Sequence, residues 1–295
     1  MSFVVRSPSS SYIRSSIVAS VVNIVLAVAG TILNSFVLFI FWKSPKLRSK
    51  LFSFAIMLLC SIDLGVGTVV NPLFVLKSIT ILYSPKCLYI VAYKMAIFVF
   101  SGISACTLFI INIERYFAII HPILHRIHFS KRRFLLTWVL FWFLAVVGVV
   151  CRVYIPFFEV VIPVTLCITV FTSLFTYVAI YVVARKKMKR NDEESRKHFM
   201  AFLRELKMAK TYVLVVSLCF FCYLPTVVVF GIIFANIVNN ADKTLDSVVN
   251  AFDWTDTLAS MNSTLNCLIF FWGNRELRKE CSKILKKCFH RQEVQ

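Results

Sequence analysis

The chain is a series of long apolar runs divided by short polar breaks. The runs cover about residues 17–42, 51–76, 88–120, 134–153, 157–184, 209–235 and 247–272. A run of about 20 apolar residues crosses the ~30 Å hydrocarbon layer of a bilayer as an α-helix. In lipid the backbone must satisfy its own N–H and C=O groups, so each run is predicted to be helical. The weakest division lies between the fourth and fifth runs, where Arg152 and Pro156 interrupt. A helix of roughly 50 residues there would be too long for one crossing, so a break is predicted. The expected fold is an all-α membrane protein: a seven-transmembrane helix bundle over 17–272. Residues 1–16 are expected to be an extracellular N-terminus with no cleavable signal, the first span acting as signal-anchor.

The polar pattern changes character after residue 272. Over 275–288, Leu277, Cys281, Ile284, Leu285 and Cys288 share one helical face, and Arg275, Arg278, Lys279, Lys283, Lys286 and Lys287 crowd the rest. This predicts a short amphipathic eighth helix on an anionic inner leaflet, within a cytoplasmic segment 273–295. Cys281 and Cys288 are candidate lipidation (palmitoylation) sites.

Composition agrees with the runs: 59% of residues are hydrophobic and 29 are Phe, too apolar for an ordinary soluble domain. A net charge of +19 would suggest nucleic acid in a soluble protein. Here 25 of the 33 Lys and Arg fall in segments 43–50, 126–133, 185–210 and 275–291, which alternate with the other breaks. The positive-inside rule makes these cytosolic, with the N-terminus outside and the C-terminus inside. The charge therefore reports topology, and no nucleic-acid partner is expected. Cys87 and Cys151 lie near outer span ends, where a disulfide or two separate thiols are both open. No Cys/His spacing of a metal site appears.

Charges within a bilayer cost several kcal/mol and usually mark function. Asp63 sits in the middle of the second run, with Asn34, Ser104, Asn262 and Asn266 as candidate company. Such a cluster could hold a small cation or an ion-free water network, and the residues alone leave both open. Glu114 and Arg115 stand at the inner end of the third run. Glu205, at the inner start of the sixth, is a candidate tie to Arg115. Lys94, nearer the outside, could meet an anionic ligand group or pair with Asp253 or Asp256.

These residues, in this order, resemble the signature of class A, rhodopsin-like G-protein-coupled receptors. The matching positions are Asn34 and Val37; Asp63; Glu114-Arg115-Tyr116 followed by Pro122; Trp138; Tyr177; Cys222-Tyr223-Leu224-Pro225; and Asn266-Cys267-Leu268-Ile269-Phe270. Each motif is weak alone, but seven in order, one per span, are specific. Ile90 replaces the usual Cys of the third span and Thr169 the usual Pro of the fifth. With an almost absent second outer loop, this resembles the melanocortin, adenosine, cannabinoid and lysophospholipid branch. The acidic residues that melanocortin receptors use for basic peptides are replaced by Leu73, Ile90 and Lys94.

The resemblance implies a multi-pass plasma-membrane receptor for an extracellular small-molecule, lipid or peptide ligand, with a heterotrimeric G protein as partner. It implies a ligand pocket with Lys94, Ile97, Tyr223, Phe230 and Asp256. No cofactor is required, but a sodium ion at Asp63, Ser104, Asn262, Ser263 and Asn266 would act as an allosteric modulator. It implies a switch of Glu114, Arg115, Tyr177, Glu205, Pro225 and Phe270, with Arg115 and Ile123 meeting the G protein. Phe270 replaces the usual Tyr and has no hydroxyl to bridge to Tyr177. The competing class, a transporter or channel, would show paired Gly/Pro breaks and internal repeats; with seven Gly and no repeat, neither is seen. No catalytic set converges, so no enzyme is expected.

Overall fold

The structure, a computed structural model, describes residues 9–83, 87–154, 161–188, 214–215, 217–232, 235 and 245–292. Every regular element among them is helical. Helix α1, Ser10–Lys43, starts well before the first apolar run, because the Ser9 hydroxyl accepts the Tyr12 N–H and caps it. Its inward stripe is Tyr12, Ser16, Ala19, Asn23, Leu26, Gly30, Asn34 and Val37, at helical spacing. That stripe is small and polar, while Ile17, Val21, Val25, Val28 and Ile32 are exposed. This is the pattern of a helix in lipid, where small residues allow close approach and polar ones bond across helices.

A short helix α2, Pro45–Ser49, leads into α3, Leu51–Gly65, which continues through a π-helical turn, Val66–Val70, into α4, Asn71–Tyr83. The second apolar run thus stays helical seven residues past its apparent end, and Lys77 lies within it rather than in an outer loop. The π turn shifts the register locally, and two glycines let neighbours approach there. A Cβ on Gly67 would lie 3.0 Å from the Thr31 backbone nitrogen and 3.3 Å from the Ala27 carbonyl oxygen. At Gly65 it would meet the Phe100 ring.

Helix α5, Cys87–Ile120, is central and packs against α3, α4, α7 and α8. Pro122 opens α6, Pro122–His128, where a missing N–H costs nothing. Then come α7, Lys131–Tyr154, and α8, Val161–Met188, divided near the interruption read from the sequence. They are followed by α9, Ser217–Ile232, α10, Leu245–Gly273, and α11, Arg275–Gln292. Among the described residues four helices are long and apolar enough to cross a membrane: Ser10–Lys43, Leu51–Tyr83, Leu88–Ile120 and Lys131–Cys151. Helices α8 and α9 carry shorter apolar stretches.

Apolar packing falls into two clusters. The larger joins α1, α3, α5, α9, α10 and α11 through Phe41, Ile56, Leu59, Leu108, Cys222, Phe270 and Leu277. The smaller, toward the other end, is Ala19, Val66, Val70, Phe74 and Tyr93. The polar groups described next lie at the ends of these clusters and between them.

Candidate functional site

The outer layer is charged. Lys77 of α4 pairs with Asp253 of α10, and both side chains are 3% exposed. The Tyr12 hydroxyl donates to the other Asp253 oxygen at 3.3 Å. Lys94 of α5 pairs with Asp256 at 2.9 Å, but its side chain is 32% exposed. The buried Tyr93 hydroxyl donates to the same Asp256 oxygen at 3.0 Å. The Tyr93 ring lies beside both ammonium groups, 4.7 Å from Lys77 and 5.6 Å from Lys94. Phe74 covers Lys77 at 4.5 Å. Asn23 adds a bond to Thr257 at 2.8 Å, and Thr257 bonds back to the Asp253 carbonyl. The layer therefore binds α1, α4, α5 and α10, with each carboxylate facing an ammonium.

Of the expected pocket residues, Lys94 and Asp256 meet directly. Phe230 stacks edge-on against Phe252 at 5.2 Å, and Phe252 lies 5.2 Å from the Lys94 ammonium. Ile97 packs beside the smaller apolar cluster. Tyr223 is set deeper, buried in the larger one. Tyr93 and Tyr12 have no role in the sequence reading, which counts Lys77 only among the cations of the outer segments. Lys77 ends an apolar run and looks like a loop residue, and its partner lies 176 residues away.

At mid-depth Asp63, 1% exposed, accepts from the Asn266 amide at 3.4 Å. The Ser263 hydroxyl lies close by. Asp63 Oδ1, Ser104 Oγ, Asn262 Oδ1 and Asn266 Oδ1 are buried with no hydrogen-bond partner among the described residues. Asn34 spends its amide N–H on the Gly30 carbonyl at 3.0 Å and is left with a bare Oδ1. Buried oxygens are normally satisfied. An acceptor-rich set around a carboxylate suits a hard cation or ordered water.

At the inner end Arg115 reaches back to Glu114 through Nε and Nη2, each at 2.5 Å. Its guanidinium lies 4.2 Å from the Phe52 ring centroid. Glu114 is fully buried and has a second partner, His125 of α6, whose Nε2 lies 2.9 Å from Oε1. His125 has no role in the sequence reading; the helix start at Pro122, three residues before it, is the signal that could have placed it. Glu205 lies outside the described residues, so a tie to Arg115 is an expectation only. Phe270 is buried in the larger cluster, Tyr177 and Pro225 are partly buried, and Ile123 is 75% exposed on α6.

Helix α11 docks through its acidic residues. Asn274 Oδ1 accepts the N–H groups of Glu276 and Leu277. Glu276 pairs with Lys50, and Glu280 accepts from Ser44 at 3.1 Å. Lys283 beside Glu280 holds that carboxyl below its ordinary value. Leu277 and Cys281 pack into the core, and burial pushes the Cys281 thiol up. The side chain of Cys288 lies outside the described residues. Cys151 is a free thiol.

A family model described as "7 transmembrane receptor (rhodopsin family)" matches residues 33–167, which include Asn34, Asp63, Ser104 and the Glu114–Arg115 pair. Over these residues the chain is similar to the rhodopsin-like class. It is 26% identical over 265 residues to a sphingosine 1-phosphate receptor 3 of Takifugu rubripes, covering 83% of this chain and 65% of that protein. It is 26% identical over 235 residues to an alpha-1A adrenergic receptor of Oryzias latipes, covering 62% of this chain and 48% of that protein. The matches thus span between about half and two thirds of these relatives. The first agrees with the lysophospholipid side of the branch read from the sequence.

Proposed function

We propose that this rhodopsin-like chain is a plasma-membrane receptor that crosses the bilayer seven times, binds an extracellular ligand and activates heterotrimeric G proteins. The observation that carries the reading is the Glu114–Arg115 pair. A permanent cation, 5% exposed, is folded back on a carboxylate of its own helix at the basic end of the bundle. Its bonds can be exchanged for bonds to a partner with no change in protein charge. A second packing exposing Arg115 beside Ile123 would present a cation and an apolar knob to the G protein. Ligand binding would shift the population between the two packings, by as much as its affinities for them differ.

At the other end, the two relatives carry different names, a sphingosine 1-phosphate receptor and an adrenergic receptor, so neither ligand is carried over. The local chemistry is more informative. Lys94 and Asp256 are already paired, so a ligand that separates them has to satisfy both charges or neither. The mid-depth oxygens fit a cation: Asp63, Ser104, Asn262, Ser263 and Asn266 would hold sodium, which would supply the positive charge that the buried carboxylate lacks. Pro225, which has no N–H, is the place where α9 bends most easily.

The test is GTPγS binding in membranes expressing the full chain, with purified Gs, Gi and Gq heterotrimers, set beside ion flux in the same cells. Exchange above control membranes that is lost in Arg115→Ala supports the receptor. Flux without exchange overturns it in favour of a channel or transporter.

A further inference from the structure

We infer that Asn112 is a positioning residue for the inner switch: its bond to Thr172 latches α8 onto α5 one turn from Arg115 and holds the closed packing. The inference rests on the two packings proposed above and names the helix contact that decides between them.

Asn112 lies three residues before Arg115 on α5, about one turn away. It is buried, and its amide N–H donates to the Thr172 hydroxyl of α8 at 2.9 Å. Thr172 is free to accept, because it donates its own proton to the Ile168 carbonyl at 2.8 Å. Four residues further along α5, the Tyr116 ring meets Phe175 of α8 at 5.9 Å. Asn112 and Tyr116 share one face of α5, and Arg115 stands between them in the chain. On α8, Thr169 and Thr176 are buried one turn to either side of Thr172, and each donates to a carbonyl of its own helix. Helices in lipid gain little from apolar contact with each other, so a directed polar bond has a large say in where they sit.

The other half of the amide shows what kind of contact this is. Asn112 Oδ1 is buried and has no hydrogen-bond partner among the described residues. A bare buried acceptor carries a desolvation penalty. An apolar side chain could seat α8 on α5 without that penalty, so the amide is a poor choice for stability alone. It gives a contact that is specific in direction and weakly held, as a contact that has to release must be. With the bond broken, α8 is free to shift along α5, and the wall beside Arg115 shifts with it.

The test uses the full chain in nanodiscs and reads both melting and ligand-free nucleotide exchange on purified heterotrimers. Leu has the branched outline of Asn without its polar atoms. Asn112→Leu should melt at or above the native chain and yet raise exchange several-fold. Thr172→Val strands the whole amide, so it should melt lower and raise exchange to a similar extent. In the Asn112→Leu background Thr172→Val should change neither readout. Thr172→Ser keeps the accepting oxygen and should behave as the native chain does. A bond that serves folding alone would lower melting without raising exchange. Native exchange in Asn112→Leu, or effects of the two substitutions that simply add, would overturn the inference. If Asn112→Leu does not fold, Thr172→Val against Thr172→Ser carries the test by the same two readouts. A native chain that activates no heterotrimer would remove the receptor reading. The latch is then decided by the distance between spin-labelled unnatural side chains at the exposed Leu135 of α7 and Val182 of α8. That distance should broaden in Thr172→Val and not in Thr172→Ser; an unchanged distribution overturns the latch.

Discussion

The outer and middle layers of the bundle treat buried charge in opposite ways. In the outer layer two ammonium groups face two carboxylates, two tyrosine hydroxyls fill remaining acceptor positions, and aromatic rings line the cations. In the middle layer one carboxylate stands among oxygens, with the Asn266 amide bonded to it at 3.4 Å and, among the described residues, four buried acceptors without a hydrogen-bond partner. Balanced charge produces a brace, fixed and specific to its partners. Unbalanced charge gathers acceptors that suit something small and positive, or water. The first suits holding helices in place; the second is where the proposed change in their arrangement would act.

The comparison breaks most sharply at Asp253. Asp253→Ala would leave Lys77 buried without its paired carboxylate and would remove the bond that Asp253 accepts from the Tyr12 hydroxyl. Breaking one side of a buried pair costs about 3–5 kcal/mol, enough to remove most folded protein from the cell surface. Lys77→Met combined with Asp253→Leu should restore most of it, since an apolar pair of similar volume avoids desolvation altogether. Surface expression and melting of the two variants make the check. A well-folded Asp253→Ala would show that Lys77 escapes to the interface, so that the brace is not one.

A smaller but still large effect is expected at Gly67, where α1 meets the π turn between the two layers. An alanine Cβ would press on the Thr31 backbone and the Ala27 carbonyl, which cannot rotate away as a side chain would. Overpacking of this kind costs about 1–3 kcal/mol. Gly102, which has open space around its own Cβ position, is the control. Melting of Gly67→Ala should fall and that of Gly102→Ala should not; equal melting would mean that α1 is loosely docked.

What the sequence makes legible follows the same division. The apolar runs are readable because lipid demands length and self-satisfied backbone, and Asp63, Arg115 and their companions stand out because polar residues are rare within such runs. The contact of Asp63 with Asn266 appears where the pattern puts it. The brace is less visible, because it depends on pairing across distant helices. Lys77 ends an apolar run, and a charge at that place reads as the start of a loop until its partner is known. Ser10–Ser16 are polar enough to pass for an unstructured N-terminus, yet Tyr12 and Ser16 are buried within α1. The π turn leaves no period in the sequence, since Val66, Thr68, Val69 and Val70 fit an ordinary helix equally well. His125 is hidden for another reason: a histidine among basic residues gives no sign of a carboxylate eleven positions earlier on another helix.

The middle layer gives the next effect in size. If its bare oxygens hold sodium, the folded chain should melt higher in sodium chloride than in N-methylglucamine chloride at equal ionic strength. At a sodium concentration ten times the dissociation constant the gain is about 1.4 kcal/mol by mass action. Asp63→Asn should abolish the difference between the salts, and Ser104→Ala should reduce it. Equal melting of the native chain in both salts would leave the layer to water and remove sodium from the mechanism.

The smallest effect is expected at the exposed edge of the brace. Lys94 and Asp256 form an ion pair like that of Lys77 and Asp253, but the ammonium is partly in contact with solvent. Water can therefore replace the partner at the ammonium, while the Asp256 carboxylate is 11% exposed, so the loss should fall nearer the ~1 kcal/mol of an exposed pair than that of a buried one. Asp256 would in addition keep the Tyr93 hydroxyl. Lys94→Ala should accordingly express and melt nearly as the native chain does, while Asp253→Ala does not. That contrast makes Lys94, among the described charges of the outer layer, one that a ligand could recruit without unfolding the chain. In an activation screen on the proposed receptor, a ligand that loses potency on Lys94→Ala with folding intact would place its headgroup at this pair. A Lys94→Ala chain as unstable as Asp253→Ala would make both pairs part of one brace and move the ligand contacts elsewhere.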